Sequence, residues 1–307
     1  MWSIISLIAF TMGPVSAEES PVEAALATAI IQANTSVLGK APAISLSVTT
    51  NTTYAEEYLE KNPRWAGKDH MTTVYQGVIA GDRYRLSSTM TLADGQQLPD
   101  FLIAYDGAHY NYLNATGRPF LQVSKSFVVD SNNALPLGTV AFLPYSFLFP
   151  TSNDFFVPNI SIKRLTDGDT WERAFKSARA IDAAEKSDFL RIKFVHPSGT
   201  SYVVTFSITE DYFPIAFEKY GADGSLAQRY NLGEFNTLAI GDKERVRYPK
   251  KGKLDTFLAG WPRNTITIDT TALTTIDKVE ATAFAIDPSL ADTIYDLDTN
   301  VQIPVPK

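Results

Sequence analysis

The sequence contains no cysteine in its 307 residues. This absence excludes disulfides, thiolate metal ligands and cysteine nucleophiles, and also a lipid anchor joined to a cysteine thiol. Basic residues are in the minority, because 27 Lys and Arg stand against 34 Asp and Glu and leave a formal net charge of −7. A phosphate-binding surface needs clustered Lys and Arg, and the sequence has one dense basic run, residues 250–253. No nucleic-acid partner is therefore expected.

Short catalytic signatures are missing as well. The sequence has no Gly-x-Ser-x-Gly elbow, no phosphate-binding Gly-x-x-x-x-Gly-Lys loop and no Gly-x-Gly-x-x-Gly, which mark hydrolase, nucleotide and dinucleotide sites. Its three histidines, His70, His109 and His196, are not spaced as a zinc array. We predict no catalytic residue, no metal site and no cofactor, and hence a non-enzymatic protein. A glycosidase needs only two carboxylates, so an exported hydrolase with paired carboxylates remains an alternative.

The acidic residues with suggestive spacing are explained by turns. Asp94 and Asp106 each precede a glycine, which is the chemistry of a tight turn. Residues 296–300 open like a calcium loop, but Val301 stands where such a loop needs glycine. Neither segment is expected to bind a metal ion.

The N-terminus has the pattern of an export signal. Residues 1–17 carry no charge, run apolar through Ile4 to Phe10 and end with Val15-Ser16-Ala17 before Glu18, which predicts a signal peptide cleaved after Ala17. A buried N-terminal helix is the alternative. No transmembrane span is expected, because the apolar run is far shorter than the roughly 20 residues that cross a bilayer. The protein is thus predicted to be periplasmic or secreted.

Hydrophobic periodicity predicts one helix followed by a sheet. Residues 21–38 place apolar residues three and four apart between Pro21 and Gly39, as an amphipathic helix does. From Ala43 onward apolar and polar residues alternate, and Asp-Gly dipeptides separate the alternating segments, which predicts antiparallel hairpins. Residues 55–70 are expected to form a loop or short helix. In residues 169–185 the first part is expected to be helical, or a strand begins at residues 180–184. Predicted strands contain Ile44–Val48, Arg83–Leu92, Leu190–Phe194, Tyr202–Ile208, Ile215–Phe217, Leu226–Leu232 and Ile266–Ile268.

An apolar, proline-rich insert interrupts this pattern at residues 126–158. Its aromatic and aliphatic side chains are separated by four prolines, Pro136, Pro144, Pro150 and Pro158, which exclude a long helix and a central strand. The insert is therefore either a plug that fills the core or the floor or lid of an apolar ligand site.

Aromatic residues are abundant, with 18 Phe, 14 Tyr and 4 Trp. Tyr105, His109, Tyr110 and Tyr112 fall on one predicted hairpin, with Tyr110 and Tyr112 on a common face. Such side chains either stack across strands in a core or line a ligand site.

The order of these elements resembles the periplasmic lipoprotein-carrier superfamily with the LolA/LolB-like fold. The resemblance rests on a signal peptide, an amphipathic helix, a set of hairpins, an apolar insert and a second set of hairpins over residues 21–300. The closing segment, residues 284–299, resembles the tails of exported planctomycete-type proteins placed with that superfamily. The resemblance implies an incomplete barrel covered by helices, whose apolar interior holds acyl chains, and it transfers no individual residue.

We therefore predict a single α+β domain over residues 18–307. In it a strongly curved antiparallel sheet forms an incomplete barrel and wraps the N-terminal helix and the apolar insert. The predicted function is that of a binding or carrier protein for a lipid or an acylated protein, with an envelope protein as a further partner. A structural or sensory envelope module with a solid interior is another alternative. The predicted ligand-binding residues are Leu86, Phe101, Tyr110, Tyr112, Phe142, Phe147, Phe149, Phe155 and Phe156.

Overall fold

The computed structural model describes a large part of the chain, with gaps. The predicted signal peptide, the helix at residues 21–38 and the apolar insert lie outside the described residues. The described ranges are 43–65, 67, 69–80, 83–115, 117–125, 179–182, 188–195, 198–210, 212–240 and 244–306.

These residues form one sheet of 15 strands. The strands are β1 (Ile44–Tyr54), β2 (His70–Ala80), β3 (Arg83–Leu92), β4 (Gln97–Tyr105), β5 (Tyr110–Asn114), β6 (Phe120–Ser124), β7 (Arg179–Asp182), β8 (Phe189–Val195), β9 (Ser201–Ser207), β10 (Phe213–Tyr220), β11 (Leu226–Ile240), β12 (Glu244–Leu258), β13 (Trp261–Thr275), β14 (Thr293–Asp296) and β15 (Val301–Pro304).

Two antiparallel meanders meet in the middle of this sheet. The spatial order is β15-β14-β6-β5-β4-β3-β2-β1-β13-β12-β11-β10-β9-β8-β7, so β1 of the first meander pairs with β13 of the second. All neighbours are antiparallel except β6 and β14. The end strands β7 and β15 do not pair with each other, and the sheet is curved but unclosed. A mainly β fold with one curved antiparallel sheet, as predicted, is confirmed.

Helical structure is sparse in the described part of the chain. Helix α1 spans Glu56–Lys61 and a 3₁₀ turn follows at Pro63–Trp65, in agreement with the loop or short helix predicted there. Two more 3₁₀ turns, Ala281–Phe284 and Pro288–Leu290, lie in the C-terminal segment. None of the helices described here has the length and apolar character that crossing a bilayer would require.

The predicted Asp-Gly turns join the strands as expected. The carboxylate of Asp106 accepts the backbone N–H groups of Ala108 and His109, both at 2.8 Å. Asp94 accepts the N–H of Gln96 at 2.8 Å, and Gly95 has a φ of 81°, which residues other than glycine rarely adopt. Both aspartates therefore have the turn role that their sequence context predicts.

One face of the sheet is apolar across most strands, and we call it the apolar face. Directly paired residues of neighbouring strands project to the same face, so the register assigns each side chain. Buried members include Val48, Tyr84, Leu86 and Phe206, none more than 1 % exposed. A single uncharged row crosses nine strands through Ile192, Val204, Phe217, Tyr230, Leu254, Ile266, Thr52, Met71 and Leu92.

The opposite face, which we call the polar face, carries hydroxyl and charged groups over its centre. In the second meander it holds an ion cluster around Glu218, whose side chain is 18 % exposed. This carboxylate accepts hydrogen bonds from Arg191 at 2.9 Å and Arg229 at 3.3 Å, and from the hydroxyl of Tyr220 at 3.0 Å. The cluster ties β8, β10 and β11 together on the side away from the apolar face.

Over β4, β5 and β6 the polar face carries apolar residues, because the C-terminal segment covers it there. This segment is residues 276–306, which follow β13. Ala104, Leu113 and Leu121 pack there against Ile286 and Ala291. The segment then enters the sheet as β14, parallel to β6. Asp298 fastens it further, since its carboxylate accepts the backbone N–H of Lys125 at 2.8 Å and the hydroxyl of Ser124 at 3.2 Å. The segment predicted only as a tail is thus an integral edge of the sheet.

The buried tyrosines of the apolar face predict a loss of stability at alkaline pH. Burial raises the pKa of the Tyr75 hydroxyl to about 12, although Thr50 and Thr73 hydrogen bond to it and oppose the shift. Below pH 10 both folded and unfolded chains keep this proton; above it the unfolded chain loses the proton first. The free energy of unfolding should therefore fall between pH 10 and 12, by about 1.4 kcal/mol per pH unit for this group. Urea unfolding at stepped pH values should show a shallower decline for Tyr75→Phe, and an equal decline would contradict this assignment.

Candidate functional site

Between β3 and β14 the apolar face carries six aromatic residues, which form two groups of contacting rings. The rings of Tyr105 and Tyr110 stack with centroids 4.5 Å apart, and Tyr84 lies 6.3 Å from Tyr105. The Phe120 ring contacts Tyr112 at 6.2 Å and Tyr295 at 5.8 Å, both edge-on. We call these six residues the aromatic row: Tyr84, Tyr105, Tyr110, Tyr112, Phe120 and Tyr295.

The strand register explains why these rings meet. Tyr84 pairs with Tyr105, and Tyr105 pairs with Tyr110, so three tyrosines from three successive strands stand side by side. Tyr295 reaches the row only because β14 aligns in parallel with β6. The row therefore combines residues of the first meander with one residue of the C-terminal strand β14.

Exposure changes along the aromatic row. Tyr84 is buried, and burial raises the pKa of its hydroxyl, with a smaller rise from the neighbouring Tyr110 and Tyr105. The other five rings are half-buried. The Tyr105 hydroxyl donates to the carbonyl oxygen of Gly107 at 2.9 Å, which fixes this ring at the β4–β5 turn. The row thus leads from the buried centre of the apolar face to a partly open apolar surface.

Four of the predicted ligand-binding residues lie in neighbouring strands of this region. Tyr110 and Tyr112 belong to the aromatic row, and Leu86 pairs with Ile103, which in turn pairs with Tyr112. Leu86 is 1 % exposed, so it would form the base of a site. The backbone of Phe101 pairs with Ser88 and Asn114. The other predicted residues, Phe142, Phe147, Phe149, Phe155 and Phe156, lie outside the described part of the chain.

Four members of the row were not among the predicted ligand-binding residues: Tyr84, Tyr105, Phe120 and Tyr295. Tyr105 was noted only as part of the aromatic cluster on its hairpin. Tyr84 was recognisable, because it alternates with Arg83 and Arg85 in β3. Phe120 follows a turn on a strand of only five residues, and Tyr295 depends on a pairing between distant segments. Local periodicity carries no signal for either.

The apolar face presents a hydrophobic surface with few charged groups. The register row from Leu273 through Leu46, Gly77, Leu86, Ile103 and Tyr112 to Gln122 and Tyr295 contains no ionisable group other than tyrosine hydroxyls. In the described ranges, no three His, Asp or Glu side chains are close enough to hold a metal ion. A surface of this kind suits a hydrophobic ligand, which is bound through buried area and aromatic contacts.

A concavity of about 270 Å³ lies where the ends of β1, β12 and β13 meet, away from the aromatic row. Its polar groups bind one another: the Thr265 hydroxyl donates to Asp255 at 2.7 Å, and the Lys253 ammonium lies 3.3 Å from the same carboxylate. The Thr256 hydroxyl also donates to the side-chain oxygen of Asn264. Because these groups are already paired, the aromatic row is the stronger candidate site.

No protein-family model and no curated protein matches the sequence. Solved structures do show similarity. An outer membrane lipoprotein-sorting protein domain from Vibrio parahaemolyticus is 11 % identical, with a TM-score of 0.44, and the match covers 86 % of this chain and 97 % of that one. A LolA superfamily protein from Nitrosomonas europaea is 10 % identical, with a TM-score of 0.44 and coverage of 85 % and 97 %.

A DUF1329 family protein from Desulfovibrio piger is 10 % identical, with a TM-score of 0.45 and coverage of 86 % and 97 %. The resemblance to planctomycete-type proteins stays a prediction. The chain is thus similar in structure to proteins that include a member of the LolA superfamily, to which its order of elements also bears a resemblance.

Proposed function

We propose that this chain is a non-enzymatic binding or carrier protein that holds a lipid or the acyl chain of an acylated protein against its apolar face. The observation that supports this proposal is the aromatic row, in which five half-buried rings continue a fully buried apolar surface. An aromatic side chain in a closed core is fully buried, whereas one in an unoccupied apolar binding site is partly exposed to solvent.

The curvature of the sheet supports the same proposal. An open sheet of this size curls, so one of its faces is concave, and a concave apolar surface can cover the length of a hydrocarbon chain. In this proposal residues 18–307 form one domain and the apolar insert contributes Phe142, Phe147, Phe149, Phe155 and Phe156 to the site. A protein with this role acts in the periplasm or outside the cell, where the signal-like N-terminus would direct it.

Removal of two rings from the row should weaken ligand binding. We expect Tyr110→Ser combined with Tyr112→Ser to raise the Kd for a fluorescent fatty acid by at least about tenfold, because the acyl chain loses its contacts with two aromatic rings. Titration of the purified protein with a dansyl-labelled fatty acid measures this change. Native mass spectrometry of the unmodified protein should show a retained lipid that the double variant lacks.

A matched control removes an aromatic side chain from the other face. Phe189 is 47 % exposed and pairs with Ser207 on the polar face, so Phe189→Ser should leave the Kd within about twofold. Urea unfolding of each variant confirms that it is folded during the titration. A wild-type protein that binds no fatty acid, or a double variant with unchanged affinity, would refute the proposed site.

A further inference from the structure

The β12–β13 hairpin projects beyond its neighbours in the sheet. The last residue of β1 to pair with β13 is Tyr54, which meets Asn264, and the pairing of β11 with β12 reaches only Thr256. The segment Phe257–Pro262 therefore extends past both flanking strands. We call these six residues the hairpin tip.

The hairpin tip is apolar and uncharged throughout, with the sequence Phe-Leu-Ala-Gly-Trp-Pro. Leu258 and Trp261 form the last cross-strand pair and are each 58 % exposed, more than any other large hydrophobic side chain whose exposure the structure describes. Packing within the described part of the chain does not explain why these two large side chains are exposed to solvent. Exposed apolar groups concentrated in this way mark a contact surface.

The backbone of the hairpin tip is built as a tight turn. Ala259 and Gly260 both have positive φ angles, 50° and 83°, as two-residue hairpin turns require. The strand pairing of Leu258 with Trp261 continues up to this turn, so the hydrogen-bonding groups beside the exposed side chains are largely satisfied within the hairpin. Bonding these groups to each other lowers the cost of moving the Leu258–Trp261 pair out of water.

Charged residues of both signs lie beside the hairpin tip, on the side of helix α1. The Lys61 ammonium lies 4.5 Å from the centre of the Trp261 ring, and the Arg263 guanidinium lies 5.5 Å from the Tyr58 ring. Helix α1 adds the exposed carboxylates of Glu56, Glu57 and Glu60. An uncharged apex with charges of both signs beside it complements a zwitterionic headgroup layer, in which phosphate and ammonium groups lie above hydrocarbon. Trp is also the side chain most suited to that boundary, because its ring is apolar and its N–H is polar.

We propose that the hairpin tip docks the protein onto the surface of a phospholipid bilayer, with Leu258 and Trp261 entering the boundary between headgroups and acyl chains. Lys61 and Arg263 then lie at the level of the lipid phosphates. The contact is reversible, since it buries two large side chains and no more. This proposal is independent of the aromatic row and of its ligand.

Vesicle flotation tests the proposal directly. The purified full chain should float with vesicles of phosphatidylethanolamine and phosphatidylcholine, and Leu258→Ser combined with Trp261→Ser should lower the bound fraction about tenfold or more. The matched control is Val301→Ser combined with Ile303→Ser on β15, which removes two side chains that are 47 % and 48 % exposed. The control should change the bound fraction by less than about twofold.

Fluorescence quenching identifies the inserted residue. Lipids with brominated acyl chains should quench the emission of the wild-type protein, and Trp261→Phe should lose most of that quenching while it still floats. The fatty-acid Kd of the tip variant should equal that of the wild type, which separates this test from that of the aromatic row.

Several results would overturn the docking proposal. They are a wild-type protein that fails to float, a tip variant that floats as well as the wild type, and a β15 control that loses binding equally. A concentration-dependent dimer that the tip variant abolishes would assign the hairpin tip to a second copy of the chain instead of to a bilayer.

Discussion

Replacing Gly77 by Ala is expected to lower the free energy of unfolding by about 3 kcal/mol, within the range known for overpacked cores. A Cβ added at this position would lie 2.2 Å from Cδ2 of Leu86 and 2.7 Å from the carbonyl oxygen of Arg85. The leucine side chain can rotate away, but the backbone oxygen cannot. Strand β3 would therefore have to separate from β2 in the middle of the first meander. Urea unfolding at neutral pH measures the loss.

Gly233 provides a matched control in the second meander. It also lies inside a strand, β11, but an added Cβ would meet no atom within 4 Å. Gly233→Ala should leave stability unchanged or raise it slightly, because alanine has less conformational freedom to lose on folding. If Gly77→Ala were as stable as Gly233→Ala, the close packing of Leu86 over Gly77 would be wrong, and with it the base of the candidate site.

Periodicity predicts most strands of this chain because one face of the sheet is apolar and the other polar. Ile44, Leu46 and Val48 alternate with serines and lie on the apolar face, as their spacing indicates. The four strands predicted over residues 190–232 all occur, as β8 to β11. Residues 179–182 form a strand, as one of the predictions for residues 169–185 had it, and the first part of that segment lies outside the described residues.

Pairings that join distant segments cannot be predicted in this way. The union of β1 with β13 connects residues more than 200 positions apart, and β14 joins β6 through four residue pairs. Strand β2 was not predicted as a separate strand, since its alternation is interrupted at Gly77 by a residue with no side chain. Strand β12 was read as a basic run, but Lys251 forms an ion pair with Glu234 at 2.6 Å across the sheet. Lys253 also lies 3.3 Å from the carboxylate of Asp255 on the same strand. Two of the three lysines in this run are therefore paired with carboxylates.

The candidate site was predictable to the extent that it is local. Tyr110 and Tyr112 are two residues apart on one strand, so a common face follows from the alternation alone. The contact of Tyr295 with Phe120 follows from no local pattern, because it requires the C-terminal segment to cross the polar face and return to the edge of the sheet. The position of Tyr295 in the aromatic row therefore depends on how firmly the C-terminal segment is held.

Phe284 is the residue that holds the C-terminal segment most firmly. It is fully buried, packs with Ala43 and Ala80 and lies under the Arg83 guanidinium, 4.9 Å from the ring centre. We expect Phe284→Ala to lower the free energy of unfolding by about 3 to 5 kcal/mol, since it leaves a ring-sized cavity in a core that cannot collapse around it. Hydrogen exchange should also show faster exchange at the amides of β14, because the segment that leads into this strand loses its main buried contact.

The control for Phe284 is Leu290, which lies in the same segment but is 51 % exposed. Leu290→Ala removes a side chain of similar apolar character and should change the free energy of unfolding by less than about 0.5 kcal/mol. If the segment positions Tyr295 in the aromatic row, Phe284→Ala should also weaken fatty-acid binding under conditions where the sheet is still folded, and Leu290→Ala should not. Faster exchange in β14 with an unchanged fatty-acid Kd would remove Tyr295 from the site and confine ligand contact to Tyr105, Tyr110 and Tyr112.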